Sequence, residues 1–535
     1  MPATRVSMIL VLAVLLGCGA PAKAPSDTQP GPDTQGPGPD TMAPDVPADG
    51  VGDSLADTAD TGPRPAPRAW VIEDPADLLP GREAAGRPGD IRVENDHMVA
   101  IIGGLGHHKW GPFGGGILDL APQGGEDRFQ ELFASAGFLR GLRPEAIEIV
   151  ADGSTGDAVV RVTGTDGAIP LIDLVAGSQP VGLDVTLEYL LPADARCLEI
   201  RTVVSNPTDK TVTAALGDAV VWSETGNVFG PVAGYDAGGL LAQGEVEYVG
   251  ADQPGLTFLL SPLGGAKVAV ALLEDELSLL TYSMVPLAPG ESVEVRRCLY
   301  ATAGDGLDTL ALHWEARGQA LVDVSGTVQV PTAGYDLSLA KVEVYREDLF
   351  VGSVAPSPDG ALAFRIPPGS YRGILRGEAL EPVEVQWTAT TGEAVTDLSF
   401  TPAAPARIDA QVTDAAGEPL PGRITVQAGP DAAVQAGHVA VVPSLDGAST
   451  LFLPAGTYTL TGSRGPQWSL CRGDVTVGAG QAVEFRCAIT PELPLEGWIP
   501  GDLHVHSEFS IDSNMPRELR IAALVGEGLR FFAGT

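Results

Sequence analysis

Basic side chains are scarce in this 535-residue sequence, which has 32 Lys and Arg against 69 Asp and Glu and a formal net charge of −37. Only five of the basic residues are Lys. A protein that binds a polyanion needs clustered Lys and Arg to displace counterions, so this balance excludes nucleic acid as a partner. At roughly 100–200 residues per domain, the length predicts three to five domains.

Long apolar runs are also lacking, and the one that stands out, residues 8–17, has only ten residues. Because a helix that spans a bilayer needs about 20 such residues, no transmembrane helix is expected. Arg5 precedes the run and small residues follow it, which is the order of a secretory signal peptide. The sequence therefore predicts an exported protein.

The apolar run ends in Leu-Leu-Gly-Cys, with the Cys at position 18. These four residues resemble the lipobox of bacterial lipoproteins, in which the Cys becomes the new N-terminus and carries lipid. The resemblance implies that residues 1–18 are a lipoprotein signal peptide and that Cys18 anchors the protein to a membrane, each buried methylene contributing about 0.8 kcal/mol. Gly19, where Asp would resemble a retention signal, implies the outer membrane in a cell that has two membranes. An ordinary signal peptide with an incidental Cys is the alternative.

Large apolar side chains are nearly absent from residues 19–68, where Pro, Gly, Asp and Thr recur. Such a segment cannot bury enough surface to offset the entropy of chain ordering, so we expect a disordered linker. Pro stiffens it and like charges extend it, which suits a tether that holds the folded part away from a membrane. Low-complexity drift without a function is the alternative.

Long helical periodicity is nearly absent from residues 69–320. Short runs rich in Val, Ile, Leu and Thr are separated by Gly, Pro, Asp or Asn at spacings of about 8–12 residues. This pattern predicts one large antiparallel β-sandwich domain. Two short segments, 130–135 and 309–316, are helix candidates.

Residues 321–402 and 403–494 repeat one order of motifs. Each has an Asp-Gly turn, an apolar strand and then Pro-Pro-Gly-Ser-Tyr or Pro-Ala-Gly-Thr-Tyr; the second also contains Asp-Ala-Ala-Gly-Glu-Pro-Leu-Pro-Gly. These motifs resemble those of carboxypeptidase-regulatory-like modules, which are small transthyretin-like β-sandwiches with accessory roles. In the Pro-x-Gly-x-Tyr turn we expect Gly to adopt positive φ and Tyr to begin the next strand facing the core. The fold class expected for the chain is thus mainly β, with one large and two small sandwiches.

Cysteines are few, five in all, and export places them in an oxidising compartment. Cys471 and Cys487 are symmetric about Ala479, so a hairpin that turns there sets them opposite each other and predicts a cross-strand disulfide. Two buried free thiols are the alternative. Cys197 and Cys298 lie on the polar faces of predicted strands, where both a second bridge and two free thiols remain open.

Histidines are also few, with seven in the chain. His107 and His108 lie in a Gly-rich loop and are expected to be solvated or hydrogen-bonded locally. His97, His313 and His438 are isolated, and we assign them no role. Few sites can therefore be based on histidine.

Asp502, His504 and His506 alternate with apolar residues. Residues two apart project from one face of a strand, so two imidazoles at this spacing can reach one metal ion. Nitrogen ligands of this kind suit Zn²⁺, Mn²⁺ or Fe²⁺, and Asp502 is a further candidate ligand. Because neutral imidazole is the ligand, metal affinity should fall below a pH of about 6.5.

Residues 495–535 read as strand, polar turn, helix and strand, with Pro516 at the start of the helix. With Asp-Leu-His-Val-His-Ser in the first strand, the segment resembles the opening of the PHP (polymerase and histidinol phosphatase) superfamily, in particular its CehA/McbA-type metallohydrolases. The resemblance implies the start of a (β/α) barrel that hydrolyses phosphoesters or related esters with a divalent metal. It matches His504 and His506 to the first two metal ligands and Asp502 to the strand Asp.

The family barrel continues with an Asp-His pair and further ligands, whereas the sequence ends at Thr535. We therefore expect a truncated piece of an exported, membrane-anchored hydrolase, inactive as given and without a stably bound metal. A competing interpretation is a binding or structural protein of the cell envelope, whose β-sandwiches bind a glycan or a protein. In a third interpretation the modules are only spacers.

Overall fold

The computed structural model describes residues 67–137, 140–169, 179–222, 227–231, 245–253, 255–273, 278–331, 335–433, 437–507, 513 and 515–534. The predicted signal peptide, Cys18 and the linker as far as residue 66 lie outside the described residues. Within the described ranges, no helix combines the length and the apolar character needed to cross a membrane. The described chain is mainly β, as predicted.

The large domain is built from seventeen described strands, and every pairing between them is antiparallel. A 3-10 turn, Pro75–Asp77, follows the first strand. The strands are β1 (Arg68–Val71), β2 (Ile91–Glu94), β3 (Met98–Ile102), β4 (Ile117–Pro122), β5 (Glu131–Gly137), β6 (Arg140–Asp152), β7 (Ala158–Ala168), β8 (Asp184–Leu191), β9 (Leu198–Ser205), β10 (Val212–Val221), β11 (Asn227–Phe229), β12 (Glu245–Val246), β13 (Val249–Gln253), β14 (Leu256–Pro262), β15 (Val268–Leu273), β16 (Ser278–Leu287) and β17 (Ser292–Ala303).

Strand β5 joins two runs of paired strands in this domain. One run passes from β1 through β2, β3, β4, β5, β10, β16 and β15 to β12, and the other passes from β5 through β6, β7, β8, β9, β17, β14 and β13 to β11. The apolar faces of both runs contribute to one core, with Phe129, Leu132, Leu187, Trp222 and Phe258 among its buried residues. Burial of apolar surface in this core is the main force that stabilises the domain.

The two helix candidates of this region have different outcomes. Residues 130–135 do not form a helix; they lie largely in β5, which pairs with β10 from Glu131↔Val221 to Ser135↔Gly217. Residues 309–316 lie in the helix α1, Gly306–Ala316. Strand β5 pairs with other strands on both of its edges, and this pairing outweighs the helix propensity of residues 130–135. Because the partner strands are distant in sequence, the segment by itself does not indicate the pairing.

Two small β-sandwiches follow, and they share one topology. Each has a three-stranded sheet with one parallel pair and a four-stranded antiparallel sheet. The first contains β18 (Val322–Val328), a 3-10 turn (Leu337–Leu339), β19 (Ala340–Arg346), β20 (Leu349–Val354), β21 (Ala361–Ile366), β22 (Gly369–Gly377), β23 (Val383–Ala389) and β24 (Val395–Phe400). The second contains β25 (Ala406–Thr413), β26 (Gly422–Ala428), β27 (Ala440–Ser444), β28 (Ala448–Leu453), β29 (Gly456–Ser463), β30 (Cys471–Val477) and β31 (Ala482–Ala488).

The Pro-x-Gly-x-Tyr motif has the same geometry in both small sandwiches. The hydroxyls of Tyr371 and Tyr458 are each 2.8 Å from the carbonyl oxygen four residues earlier, to which they donate, and both rings are buried as expected. The expected positive φ is wrong for the Gly of both motifs, since it is the Asp-Gly turns, at Gly360 and Gly447, that have φ of 85° and 79°. A side chain on Gly369 would instead meet the Tyr371 ring at 3.3 Å, so space is what this position requires.

Cys471 and Cys487 form a disulfide with a Cα–Cα distance of 5.6 Å. The predicted hairpin register is wrong, because β30 pairs with β29 whereas β31 pairs in parallel with β25. The disulfide therefore joins the two sheets of the second sandwich across its core. The chain crosses from one sheet to the other at the turn between β30 and β31. Cys471 and Cys487, which are symmetric about this turn, therefore face each other between the two sheets.

Cys197 and Cys298 also form a disulfide, again with Cα atoms 5.6 Å apart. The face of β17 that carries Cys298 is not a solvated polar face, since Cys298 is buried in a second apolar cluster with Tyr300 and Leu307. Helix α1 covers this face. The cluster extends into the first small sandwich, so the large domain and that sandwich share a continuous core.

The C-terminal unit consists of β32 (Gly501–Val505), α2 (Arg517–Gly526) and β33 (Phe531–Gly534). The two strands pair in parallel, with Gly501 opposite Phe531 and Asp502 opposite Phe532. The strand, helix and strand predicted for residues 495–535 are thus present as a parallel β-α-β unit. Parallel strands require a crossover of this kind because their carboxyl ends lie at the same edge.

Candidate metal centre

The candidate metal ligands lie at the end of β32. Asp502 and His504 are in the strand, and His506 follows directly after it. Val505 is buried and His504 is exposed, as the alternation of a strand predicts, but Leu503, which shares a face with Val505, is 71% exposed, so only the end of that face packs inward. The two histidines are consequently presented at the edge where the strand ends.

The structure brings the two imidazoles together. The Nε2 atoms of His504 and His506 lie 2.7 Å apart, and their ring centroids are 4.7 Å apart at an interplanar angle of 45°. A separation of 2.7 Å is that of a hydrogen bond between the two rings. Metal–nitrogen bonds in protein sites are about 2.0–2.1 Å long and place two tetrahedral ligands about 3.3 Å apart, so a small outward movement of the rings lets both nitrogens bind one ion. The donor set fits Zn²⁺, Mn²⁺ or Fe²⁺, as the spacing predicts.

Asp502 is turned toward the backbone. One of its carboxylate oxygens accepts a hydrogen bond from the backbone N–H of His504 at 3.0 Å. This contact fixes the chain at the first histidine. Among the residues that the structure describes, no third His, Cys, Asp or Glu joins the pair to form a metal-binding group of three.

The second small sandwich holds the helix of the C-terminal unit. Arg423 forms an ion pair with Glu527, just after α2. Gly526 packs so closely that a side chain there would meet the carbonyl oxygen of Gly422 at 2.8 Å, and one on Gly465 would overlap the carbonyl of Glu527. This contact has no signal in the sequence, because a glycine that allows close approach of two backbones looks the same as a glycine in a turn.

Arg82 of the large domain contacts the C-terminal unit from another side. Its Nη2 donates to the carbonyl oxygen of Ser513 at 3.2 Å, across 431 positions of the chain. Ser513 lies in the connection between β32 and α2. No sequence signal marks this pair. Arg82 donates to a backbone carbonyl, which every residue has, so the contact does not require any particular residue type at position 513.

Buried carboxylates organise the large domain near Arg82. Asp119 accepts the backbone N–H groups of Ala85 and Gly86, and Asp127 accepts those of Leu120 and Phe129. Burial raises the pKa of Asp119, and burial together with the nearby Asp119 charge raises that of Asp127. Their clearest sequence signal is an Asp inside an apolar run, Ile-Leu-Asp-Leu-Ala at 117–121.

Other histidines have partners within the large domain. His107, expected to be solvated or hydrogen-bonded locally, is instead mostly buried, and its Nδ1 lies 2.7 Å from a carboxylate oxygen of Asp90, 17 positions earlier in the chain. His313 is fully buried in α1, and burial together with the nearby Arg317 charge lowers its pKa to about 3. Neither approaches the His504–His506 pair in any described contact.

No family model matches this chain, and no curated protein matches it. Among solved structures, the chain is similar to a TPR-domain containing protein from Parabacteroides distasonis, with 12% identity and a TM-score of 0.30, over 44% of this chain and 54% of that one. A galactose mutarotase-like protein from Lactobacillus casei shows 12% identity and a TM-score of 0.28, over 40% of this chain and 100% of that one. The Bacillus anthracis TIE protein shows 13% identity and a TM-score of 0.16, over 79% and 75%. These values carry no argument about what the chain does.

Proposed function

We propose that the C-terminal β-α-β unit is the metal-binding part of an exported, lipid-anchored hydrolase that acts on phosphoesters or related esters. The observation that carries the proposal is the convergence of the His504 and His506 Nε2 atoms, 2.7 Å apart, at the end of a strand in a parallel unit. Ligands of open α/β sheets bind outside the carboxyl ends of the strands, which is where this pair lies. The resemblance of the surrounding residues to PHP enzymes supports the reaction class.

His504 and His506 would hold the ion through Nε2 of each neutral ring. The bond from the His504 N–H to Asp502 limits the backbone freedom that the strand end would otherwise have. A divalent metal in such a site would supply a hydroxide nucleophile near neutral pH by lowering the pKa of water. Two ligands give only weak binding, so the present chain is expected to lose metal readily.

A Co²⁺ titration followed by visible absorption tests the metal site. We expect a weak, saturable signal in the full chain, which is lost in His504→Ala and in His506→Ala. His108→Ala removes an exposed histidine of the large domain and is the matched control, expected to bind as the unchanged chain does. Binding that survives both β32 substitutions would place the metal elsewhere and contradict the proposal.

The hydrolase part is tested by activity. Purified after dialysis, the 535-residue chain should carry metal and phosphodiesterase activity near background. If the reading frame of the gene continues past codon 535 into further His and Asp ligands, its whole product should hydrolyse bis(p-nitrophenyl) phosphate with a divalent metal. A stop at that codon would favour an envelope protein that binds a glycan or a protein.

The anchor is tested separately from the chemistry. Labelling of expressing bacteria with a fatty-acid analogue should modify the chain at Cys18, and Cys18→Ser should abolish the label and release the protein from the membrane fraction. Membrane retention of the unlabelled Cys18→Ser protein would contradict the anchor and leave the metal site untouched.

A further inference from the structure

The disulfide between Cys471 and Cys487 lies against a glycine of β29. Gly462 pairs with Cys471 in the four-stranded sheet, and a side chain on Gly462 would overlap the Sγ atom of Cys487. In the other sheet, Cys487 is fully buried and pairs with Val412 of β25. The sulfur bridge therefore contacts β29 in one sheet and lies beside Val412 in the other.

The same two strands lead to the surface on which α2 rests. Three residues beyond Gly462, a side chain on Gly465 would overlap the carbonyl of Glu527. Val412 packs under Gly422, where an added Cβ would lie 3.0 Å from its Cγ1, and Gly422 in turn meets Gly526 of α2. Two routes of packed residues thus connect the disulfide with the helix.

Helix α2 depends on this contact with the second sandwich. It has ten residues, of which only Leu524 and Gly526 are buried. Isolated helices shorter than about 12–15 residues are marginal in water, so α2 needs its docked position to stay helical. Because backbones approach each other at glycines here, a small displacement of one sheet against the other would separate the surfaces.

A reductant can reach the disulfide from solvent, since Cys471 is partly exposed. A dithiol attacks one sulfur through its thiolate, forms a mixed disulfide and closes on itself as a cyclic disulfide. The two cysteines each gain a proton and become thiols. The two sheets of the sandwich are then no longer joined covalently.

We propose that the Cys471–Cys487 disulfide is a redox-sensitive switch that controls docking of the C-terminal unit. With the bond intact, the second sandwich holds α2; with two thiols in its place, the helix is released. The unit that carries His504 and His506 is then docked only in an oxidising compartment. The switch does not depend on the metal site, and only the moment at which it acts rests on the proposed export.

Amide hydrogen exchange in peptides covering residues 517–526 measures the docking. Cys471→Ser with Cys487→Ser should accelerate it by about tenfold, since part of the constraint that the bond imposes is lost from the docking equilibrium. Cys197→Ser with Cys298→Ser, which keeps only the bond of the second sandwich, should exchange as the unchanged chain does. Dithiothreitol added to this second variant should produce the same acceleration without a further substitution.

Leu453→Ala is the matched control for general loss of stability. Leu453 is buried in the same core, but it pairs with Ala406 at the other end of β25 from Val412. The variant should lower the melting temperature of the second sandwich while the disulfide stays intact. Exchange in α2 should then stay within about twofold of the unchanged chain. Acceleration equal to that of the cysteine variant, at an equal melting temperature, would overturn the switch.

Gly526→Ala tests whether the bond acts through the docked helix. Its methyl group would meet the carbonyl oxygen of Gly422 at 2.8 Å, so α2 should exchange rapidly even in the oxidised chain. Loss of the disulfide should then add nothing. A full additional acceleration, or equal exchange in the oxidised and disulfide-free forms of the unchanged sequence at position 526, would contradict the proposal. Neither readout uses Co²⁺ or a membrane, so failure here leaves the proposed metal site and anchor untouched.

Discussion

The two small sandwiches share a topology but differ in what stabilises them. The second has its own core, which includes Ile424 and Leu460, and a disulfide that joins its sheets. The first has no cysteine, and its core continues through α1 into the large domain. One fold can thus be stabilised by a covalent link or by a neighbouring domain.

Equivalent positions show how the difference arises. Phe400 pairs with Val328 in the first sandwich as Cys487 pairs with Val412 in the second, so Phe400 occupies the place of the disulfide cysteine. A side chain on Gly373 would meet the Phe400 ring at 2.9 Å. The equivalent inward position is thus occupied by an aromatic ring in the first sandwich and by a disulfide cysteine in the second.

The largest expected effect tests the shared core. Phe350 is buried and lies edge-to-face with Phe229 of the large domain, with centroids 6.1 Å apart. Phe350→Ala should lower the free energy of unfolding by about 3–5 kcal/mol, and hydrogen exchange should accelerate in both the first sandwich and the large domain. Leu460→Ala is the matched change in the second sandwich and should leave the large domain unchanged. Exchange confined to the first sandwich in Phe350→Ala would show that the core is not shared.

The disulfide of the second sandwich should have the next largest effect. Its cysteines are 16 positions apart, and a closed loop of that size stabilises by about 3 kcal/mol. The double variant Cys471→Ser, Cys487→Ser should lower the melting transition of the second sandwich by calorimetry and leave that of the first unchanged. Removal of Cys197 and Cys298 is the control, since it should act on the large domain and on the core that it shares with the first sandwich, and not on the second sandwich. A general loss across all transitions would argue against independent stabilisation.

Equal effects are expected where the two copies are alike. Tyr371→Phe and Tyr458→Phe each remove one bond to a carbonyl oxygen and should each lower the free energy of unfolding by about 1 kcal/mol in urea titrations. Unequal losses would show that the core shared with the large domain changes the strength of this hydrogen bond, although the turn has the same geometry in both sandwiches.

The smallest effect concerns pH at the junction of the large domain and the first sandwich. Burial, together with the charges of Asp252 and Asp308, raises the pKa of Asp305 to about 6, although Ala355 donates its N–H to this carboxylate and Lys341 is near. The pKa of Asp305 in the folded state exceeds that of an unfolded Asp, which is about 3.9. The stability that protonated Asp305 contributes is therefore complete below about pH 3.9 and is lost as the pH rises through about 6.

Asp305→Asn should therefore remove this part of the pH dependence. Relative to the unchanged chain, the variant should be most stable above pH 6, because Asn keeps the hydrogen-bond acceptor without the buried charge. Urea unfolding from pH 4 to 8 measures it. The second sandwich lacks this junction, so its stability should not follow the same curve. A variant that keeps the full pH dependence would point to Asp252 or Asp308 as the titrating group.

Much of the architecture could be predicted from local patterns. The repeated motifs indicate two copies of one module, and the structure has two sandwiches of identical strand order. The segment around His504 indicates strand, helix and strand, and these are present. Turn motifs and hydrophobic periodicity each involve only a few neighbouring residues, so they can be recognised from the sequence alone.

Other features depend on contacts between distant segments. Residues 130–135 form a strand because β10 pairs with them, and Arg82 reaches Ser513 because three domains bring them together. Neither contact leaves a local pattern. The positive φ also falls at Gly360 and not at Gly369, since the Tyr371 ring folds back over the latter.

The disulfide of the second sandwich separates the two kinds of information. Alternation with a period of two places Cys471, Val477, Phe485 and Cys487 on inward faces, and the structure agrees. That period is a property of the strand itself, so the sequence alone determined which residues face the core. Which strand lies beside which was decided only by tertiary packing, because burying two apolar faces against each other requires β30 and β31 to lie in opposite sheets.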